Sequence, residues 1–313
     1  MLEIINTYNP QSIGINYSKH FNIADGIVKT DYEELLEVLP AAQQSKLVSA
    51  EQLAIAWIET RTQKEMELYD QLVEITHGII DEAFSTKVIT PGVTTTEDVV
   101  WWMRQKTTDL GLENWFHPTV DIQRAKAELK SEKEAFSKAK PDMIIRKGDL
   151  LHCDFGITYI MLNTDCQQHA YVLKDEERDT PQYLKKAYTT GNRVQDIFTG
   201  NFEKGRTGNA ILLQSLTQAK AEGLRPSIYT HPLGTYGHSA GTTIGMWDSQ
   251  GGVPVNGDYP LHYNTVYAIE LNNTVYVDEW KKDIRIMLEE AGFYGEKGFR
   301  YVVKRQEMIK AIR

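Results

Sequence analysis

The chain has 313 residues, 41% of them apolar and 25% charged, with 34 basic against 43 acidic side chains and a net charge of −9. Such a composition belongs to a soluble globular protein with enough chain to bury a substantial core. With no Lys/Arg-rich run, it lacks an electrostatic footprint for nucleic acid, and no apolar run approaches the roughly 18 residues of a membrane span.

Residues 1–47 open with MLEIINTYNP, which has neither the basic nor the apolar region of a signal peptide, so a cytoplasmic location is the default expectation. This stretch is rich in turn residues and holds one short helical piece, DYEELLEVLP, so it reads as an extension without a core of its own. From residue 48 to 313 the pattern is that of one domain. Ser49 and Gln52 have the spacing of a capping box. Leu53, Trp57, Leu68, Leu72, Ile75 and Ile79 then recur at helical spacing. The stretch TPGVTTTEDVVWWMRQKTTDLGL adds a turn, a threonine N-cap and a second helix. Strand-like segments follow, and the charged run from Arg124 to Lys140 between them is too polar for a core and reads as a surface loop or helix.

The order then repeats. TPQYLKKAYTTGNRVQDIF and TGNAILLQSLTQAKAEG read as two helices, followed by the strand-like SIYTHPLG, NTVYAIELNNTVYV and DIRIMLEEAGFYG. Two rounds of helix, helix and antiparallel strands predict an α+β fold, a duplicated unit with its helices on one face of a shared curved sheet.

Within these strands the carboxylates are conspicuous. Asp154 and Asp165 stand eleven positions apart in HCDFGITYIMLNTDCQQ, where apolar surroundings make an unpaired charge costly. A hairpin turn at DEWKKD would set Glu270 opposite Glu289, and like charges directly opposite repel. Glu290 is the alternative to Glu289, on the other face of its strand. Four strand carboxylates and one imidazole would suit two hard divalent ions. The imidazole candidate is His238, in the glycine-rich GTYGHSAGTTIGMWD. If Asp154 pairs directly with Asp165, Cys153 pairs with Cys166 on the opposite face, as two buried reduced thiols. With only those two cysteines, no disulfide framework is expected.

This ordered set resembles the pita-bread metallopeptidases: methionine aminopeptidase, Xaa-Pro aminopeptidase, prolidase and their relative creatinase. Asp154-Phe155-Gly156 and Asp165 match the family's two metal-binding aspartates, Gly237-His238-Ser239-Ala240-Gly241 its histidine run, and Glu270 and Glu289 its two glutamates. The resemblance implies that residues 48–313 are the catalytic domain and that 1–47 are the remnant of a creatinase-type N-terminal domain. It implies two divalent ions per chain (manganese first, with cobalt, zinc or iron as alternatives) and a metal-bridged water as nucleophile. Short peptides, with proline beside the scissile bond, would be the substrate of an Xaa-Pro aminopeptidase or dipeptidase; a homodimer is compatible with it. Glu270 would carry the proton, with His231, seven residues before His238, as the second catalytic candidate.

Departures from the family pattern fall on substrate handling. Trp247-Asp248 stands where a His-Glu or His-Asp pair is usual, so Trp247 is expected to line the substrate pocket. Gly234 occupies the place of a histidine four residues before His238, His117 is the nearest match to an upstream substrate histidine, and Gln167-Gln168 replaces the usual arginine or threonine. Two other functions remain open: a creatinase-like C–N hydrolase and a non-catalytic binding module of the same fold.

Overall fold

The computed structural model describes residues 1–125 and 143–313. The segment expected as a charged surface loop or helix, 124–140, lies outside the described residues beyond Ala125. Arg124 itself is held by Asp149, through Nε to Oδ1 at 2.7 Å and Nη2 to Oδ2 at 2.8 Å.

The first residues form α1 (Leu2–Tyr8), β1 (Ile13–Ile15), α2 (Lys29–Val38), α3 (Ala41–Gln44) and β2 (Leu47–Ser49). Strand β1 pairs in parallel with β2, so hydrogen bonding crosses the position where the extension was expected to end. Phe21 and Ala24 pack with Ile55, Ile58, Ala240 and Tyr259 in a small cluster of their own. The N-terminal segment is therefore seated on the body of the protein by apolar burial.

The single helix expected after Ser49 is two helices, α4 (Glu51–Glu59) and α5 (Gln63–Ala83). The break has a local cause. Thr62 accepts the Glu65 amide while the Glu65 side chain accepts the Thr62 amide, a complete capping box that restarts the helix. Thr60 meanwhile bridges to Thr265, and the Arg61 amide donates to Asn264 O. On α4 the periodic residues Leu53 and Trp57 do not face the core as expected; they are 74% and 76% exposed. Helix α6 (Thr96–Asp109) starts at a second capping box, Thr95 with Asp98.

Helices α5 and α6 cover a sheet in which β3 (Thr119–Gln123) runs antiparallel to β4 (Leu150–Phe155), and β4 antiparallel to β7 (Cys166–Val172). Between them β5 (Thr158–Tyr159) and β6 (Leu162–Asn163) form a tight hairpin. The second unit repeats the order. Helices α7 (Gln182–Thr199) and α8 (Gly208–Ala221) pack near β8 (Pro226–Ile228), β11 (Leu271–Val277) and β12 (Lys282–Leu288). A further sheet joins β9 (His231–Leu233), β10 (Thr265–Ala268), β13 (Ala291–Gly295) and β14 (Gly298–Tyr301), while β15 (Lys310–Ile312) adds to β7 in parallel. Each helix pair buries its own core, one holding Tyr69, Leu72, Val99 and Phe155 and the other Leu184, Phe198, Ile211 and Ile286. Every such side chain contributes about 1.5–3 kcal/mol by leaving water.

Registers follow the sequence in one half and depart from it in the other. Leu271 opposes Leu288 and Val277 opposes Lys282, the pairing a turn within DEWKKD requires. In the first half, however, Asp154 opposes Gln167 and Cys153 opposes Gln168, two residues from the direct pairs expected. The reason is the hairpin tip: Ile160 and Met161 both take left-handed backbone (φ 46° and 62°), closing a two-residue turn. A shift of two keeps every side chain on its face. Asp154 and Asp165 still share one face, now diagonally, and Cys153 and Cys166 lie diagonally on the other, both buried.

Candidate metal centre

Three neighbouring strand runs break at one level, and the chemistry collects there. Strand β8 gives way to β9 at Tyr229-Thr230, β10 to β11 at Ile269-Glu270, and β12 to β13 at Glu289-Glu290. Asp165 immediately precedes β7, and Asp154 is the penultimate residue of β4. At each break a chain leaves one sheet for another, which turns its side chain out of the packed layer and toward a shared cleft. A single antiparallel bridge, Gln167 with Glu289, joins the two halves at this level.

Asp165, His231 and Glu289 each offer a ligand atom within 4.8 Å of the others. His231 Nε2 lies 3.7 Å from Asp165 Oδ2, 3.5 Å from Glu289 Oε1 and 3.9 Å from Glu270 Oε2. The imidazole among the carboxylates is therefore that of His231, not the expected His238. The reason is anchorage: His231 sits in β9 opposite Ala268 of β10, two residues from Glu270, while His238 belongs to the loop beyond. The His238 ring stacks edge-on against His231, centroids 4.4 Å apart, and against Trp115 at 5.5 Å.

Glu289 and Glu290 resolve by strand alternation. Glu289 faces Asp165, whereas Glu290 points to the other face, where it accepts from His77 Nε2 at 2.6 Å, Gln168 Nε2 at 3.1 Å and the Gln306 amide at 3.0 Å. Burial pushes the Asp154 carboxyl up to about 7, and raises those of Asp165, Glu270 and Glu289 well above the carboxylate range, with the neighbouring carboxylates adding to the effect. His231 is pushed down to about 3 by burial first and the adjoining His238 second.

Three of its atoms, Asp154 Oδ1, Asp165 Oδ1 and Glu289 Oε1, are buried with no hydrogen-bond partner. Orphaned buried oxygens are costly, and a divalent ion would satisfy them. An oxygen-rich set with one neutral imidazole suits hard and borderline divalent ions.

Asp154, His231, His238 and Glu270 line a cleft of about 730 Å³. Trp247 lines it too, as do Phe21 and Ile23 from the N-terminal segment, which sequence reasoning had not placed near the site. His117 is not among the lining residues; its Nδ1 lies 3.2 Å from Arg104 Nη1, beside Trp101. One further residue, Trp115, went unread as a site component, and Gln167 was read only within the Gln167-Gln168 pair that replaces an arginine or threonine. Trp115 donates its indole N–H to Thr164 O at 2.8 Å and covers Gly156 and Gly237 so closely that a Cβ at either glycine would overlap its ring. Gln167 stands two residues beyond Asp165 on the same face, a position that strand periodicity alone assigns to the site.

Residues 67–298 match the family model for metallopeptidase family M24. No curated protein sequence matches the chain significantly. Among solved structures, an X-Pro aminopeptidase from Thermotoga maritima superposes with a TM-score of 0.68 at 17% identity, over 99% of this chain and 78% of that one. An Xaa-Pro dipeptidase from Bacillus anthracis gives 0.65 at 16% identity, over 99% and 77%. The N-terminal domain of the FACT complex subunit SPT16 from Cicer arietinum (chickpea) shares the fold, at 0.60 and 12% identity over 90% and 67%. These likenesses show the pita-bread architecture expected from the sequence.

Proposed function

Given that the chain belongs to metallopeptidase family M24, we propose that it hydrolyses short peptides with proline beside the scissile bond, as an Xaa-Pro aminopeptidase or dipeptidase. The observation that carries this reading is the group of buried carboxylates around His231, beside a cleft with apolar walls, with orphaned oxygens on Asp154, Asp165 and Glu289. Asp154, Asp165, His231, Glu270 and Glu289 would hold two divalent ions, with manganese the first candidate. Such ions, when bound, supply Lewis-acid activation of the scissile carbonyl and of the attacking water.

The chain's own residues do the rest. Glu270 takes the proton from the attacking water and returns it to the leaving nitrogen, from a buried position where Gln167 holds one carboxylate oxygen and the other faces His231. His238, seven residues after His231 and open to the cleft, is placed to touch the substrate. Trp247 offers a flat apolar wall for a proline ring or an aromatic side chain. Trp115 keeps the loop of Gly237 and His238 at its fixed height.

A panel of Xaa-Pro dipeptides, longer Xaa-Pro peptides and matched Xaa-Ala controls, assayed with added manganese, tests this. Turnover of proline peptides above the alanine controls is the expected result; equal turnover removes the proline preference, and none in any peptide removes the peptidase reading.

A further inference from the structure

The N-terminal segment supplies part of the cleft wall, and its hydrogen bonds fix it there. Asn22–Ala24 form a single 3₁₀ turn in which the Ala24 amide donates to Phe21 O at 2.8 Å. Ser18 Oγ accepts the amides of Phe21 at 2.7 Å and His20 at 3.2 Å, and donates in turn to Glu51 on α4. The Ser18 amide donates to Asp25 Oδ1 at 3.1 Å, which closes the loop on the far side of the turn. Phe21, 6% exposed, meets the Tyr259 ring edge-on with centroids 5.8 Å apart. Tyr259 donates to Oε1 of buried Glu59 at 3.2 Å, and His262 Nδ1 meets the same oxygen at 2.8 Å. Held from both sides, the turn presents Ile23 half-buried, packed on the cluster of Phe21, Ile55 and Tyr259 and lining the cleft.

The wall so built is apolar. Besides Ile23, the cleft is lined by Phe21, Ala240, Met246, Trp247 and Val253. Its acidic and imidazole side chains, Asp154, His231, His238 and Glu270, all belong to the candidate metal centre or adjoin it. Among the described residues, no lysine or arginine lines the cleft. A charged substrate side chain pressed against Ile23 would therefore leave water with no partner to meet it, which is costly. An apolar side chain there removes its own surface and that of Ile23 from water together.

We infer that Ile23 is a specificity-determining residue that selects peptides with an uncharged apolar side chain at the position that meets it. The segment ahead of the catalytic domain is then part of the substrate site, and the relay from Glu59 through Tyr259 to Phe21 sets where its wall stands. This rests on the peptidase reading above and narrows its substrate class.

The test uses the full chain with manganese and two peptide series, Xaa-Pro-Ala and Ala-Pro-Yaa, in which the variable residue is leucine, lysine or glutamate. In one series the wild type is expected to favour leucine over both charged residues by at least about tenfold in kcat/KM. In that series Ile23→Glu should raise the ratio of lysine to glutamate peptide by at least about tenfold, and Ile23→Lys should lower it by about as much, because each brings one sign of charge to the wall. A residue that only supports the fold would lower all peptides together in both variants. Thermal melting checks that the segment stays seated. Where a charged variant melts early, Ile23→Gln takes its place and should narrow the leucine preference to within about threefold. Lysine and glutamate peptides turned over as fast as leucine in both wild-type series, or rankings unchanged in the folded variants, overturn the inference and leave the peptidase reading standing. No turnover of any peptide by the wild type overturns both.

Discussion

Replacing His231 and His238 separately by alanine asks which imidazole meets the metal. The readout is the rise in melting temperature that manganese produces, since a ligand that binds only the folded chain stabilises it by RT ln(1 + [L]/Kd). With the ion at a hundred times the wild-type Kd the stabilisation is about 2.7 kcal/mol. For a chain of this size each kcal/mol moves the melting point by about 2 °C, so a rise near 5 °C is expected. His231 stands 3.5–3.9 Å from three carboxylates, and its loss should weaken binding by at least the about hundredfold that outer-shell changes reach. At the same ion concentration [L]/Kd then falls to about one, the stabilisation to about 0.4 kcal/mol, and the rise to under about 1 °C. His238→Ala should keep nearly the whole rise, because the ring touches His231 rather than the carboxylates. Differential scanning fluorimetry at matched manganese concentrations settles it. A full rise in His231→Ala together with its loss in His238→Ala would refute the assignment.

Three other variants probe the proton carrier, the hairpin tip and a buried histidine. Glu270→Gln should keep the fold and lower turnover by about 10²–10⁴-fold, since the amide packs but carries no proton; turnover near wild type removes Glu270 from proton transfer. Ile160→Asn with Met161→Gly should raise stability by about 1–2 kcal/mol in urea unfolding, because both residues sit exposed in left-handed backbone that costs them conformational energy; an unchanged midpoint would show the tip to be unstrained. His169 is buried and neutral, its Nδ1–H donating to Leu151 O at 2.9 Å and its Nε2 accepting the Met287 amide at 3.0 Å. Burial first, and the nearby His152 second, push it down to about 3. Its contribution is therefore complete above the unfolded value near 6.5 and is lost as pH falls from there toward 3. Between pH 7 and 5 that amounts to about 2 kcal/mol. His169→Gln should lose correspondingly less over the same interval, and an equal loss would place the acid sensitivity elsewhere.

Sequence reasoning reached the carboxylates because each carries a local signal. Asp154, Asp165, Glu270 and Glu289 interrupt apolar strand runs, where an ionised group needs a partner, and the hairpin through DEWKKD fixes one register by its own midpoint. The other register was hidden by its turn. A two-residue turn with both residues left-handed usually announces itself with Asn-Gly, and here Ile160-Met161 takes that shape with no such signal. The break between α4 and α5 was masked for the opposite reason, since Leu53 and Trp57 continue the helical period of the helix beyond while facing solvent. Periodicity reports that side chains share a face, and not what the face meets.

The histidines show where one-dimensional reading gives out. His231 and His238 flank the same glycine-containing loop, and only the pairing of β9 with β10 decides which ring is held beside Glu270. That pairing joins residues far apart in the chain, and so does the bridge of Gln167 with Glu289 that closes the two halves of the fold. Each half alone supplies an aspartate pair or a glutamate pair, each under the same like-charge strain. Only where the bridge sets Asp165 and Glu289 on either side of one imidazole does that strain make a candidate cation site. The fold and the chemistry are thus specified at one place: the backbone hydrogen bonds that register Gln167 against Glu289 also aim the Gln167 amide at both glutamates. A substitution that slips this bridge should disturb assembly of the sheet and ion binding together, whereas one confined to the Gln167 side chain should disturb ion binding alone.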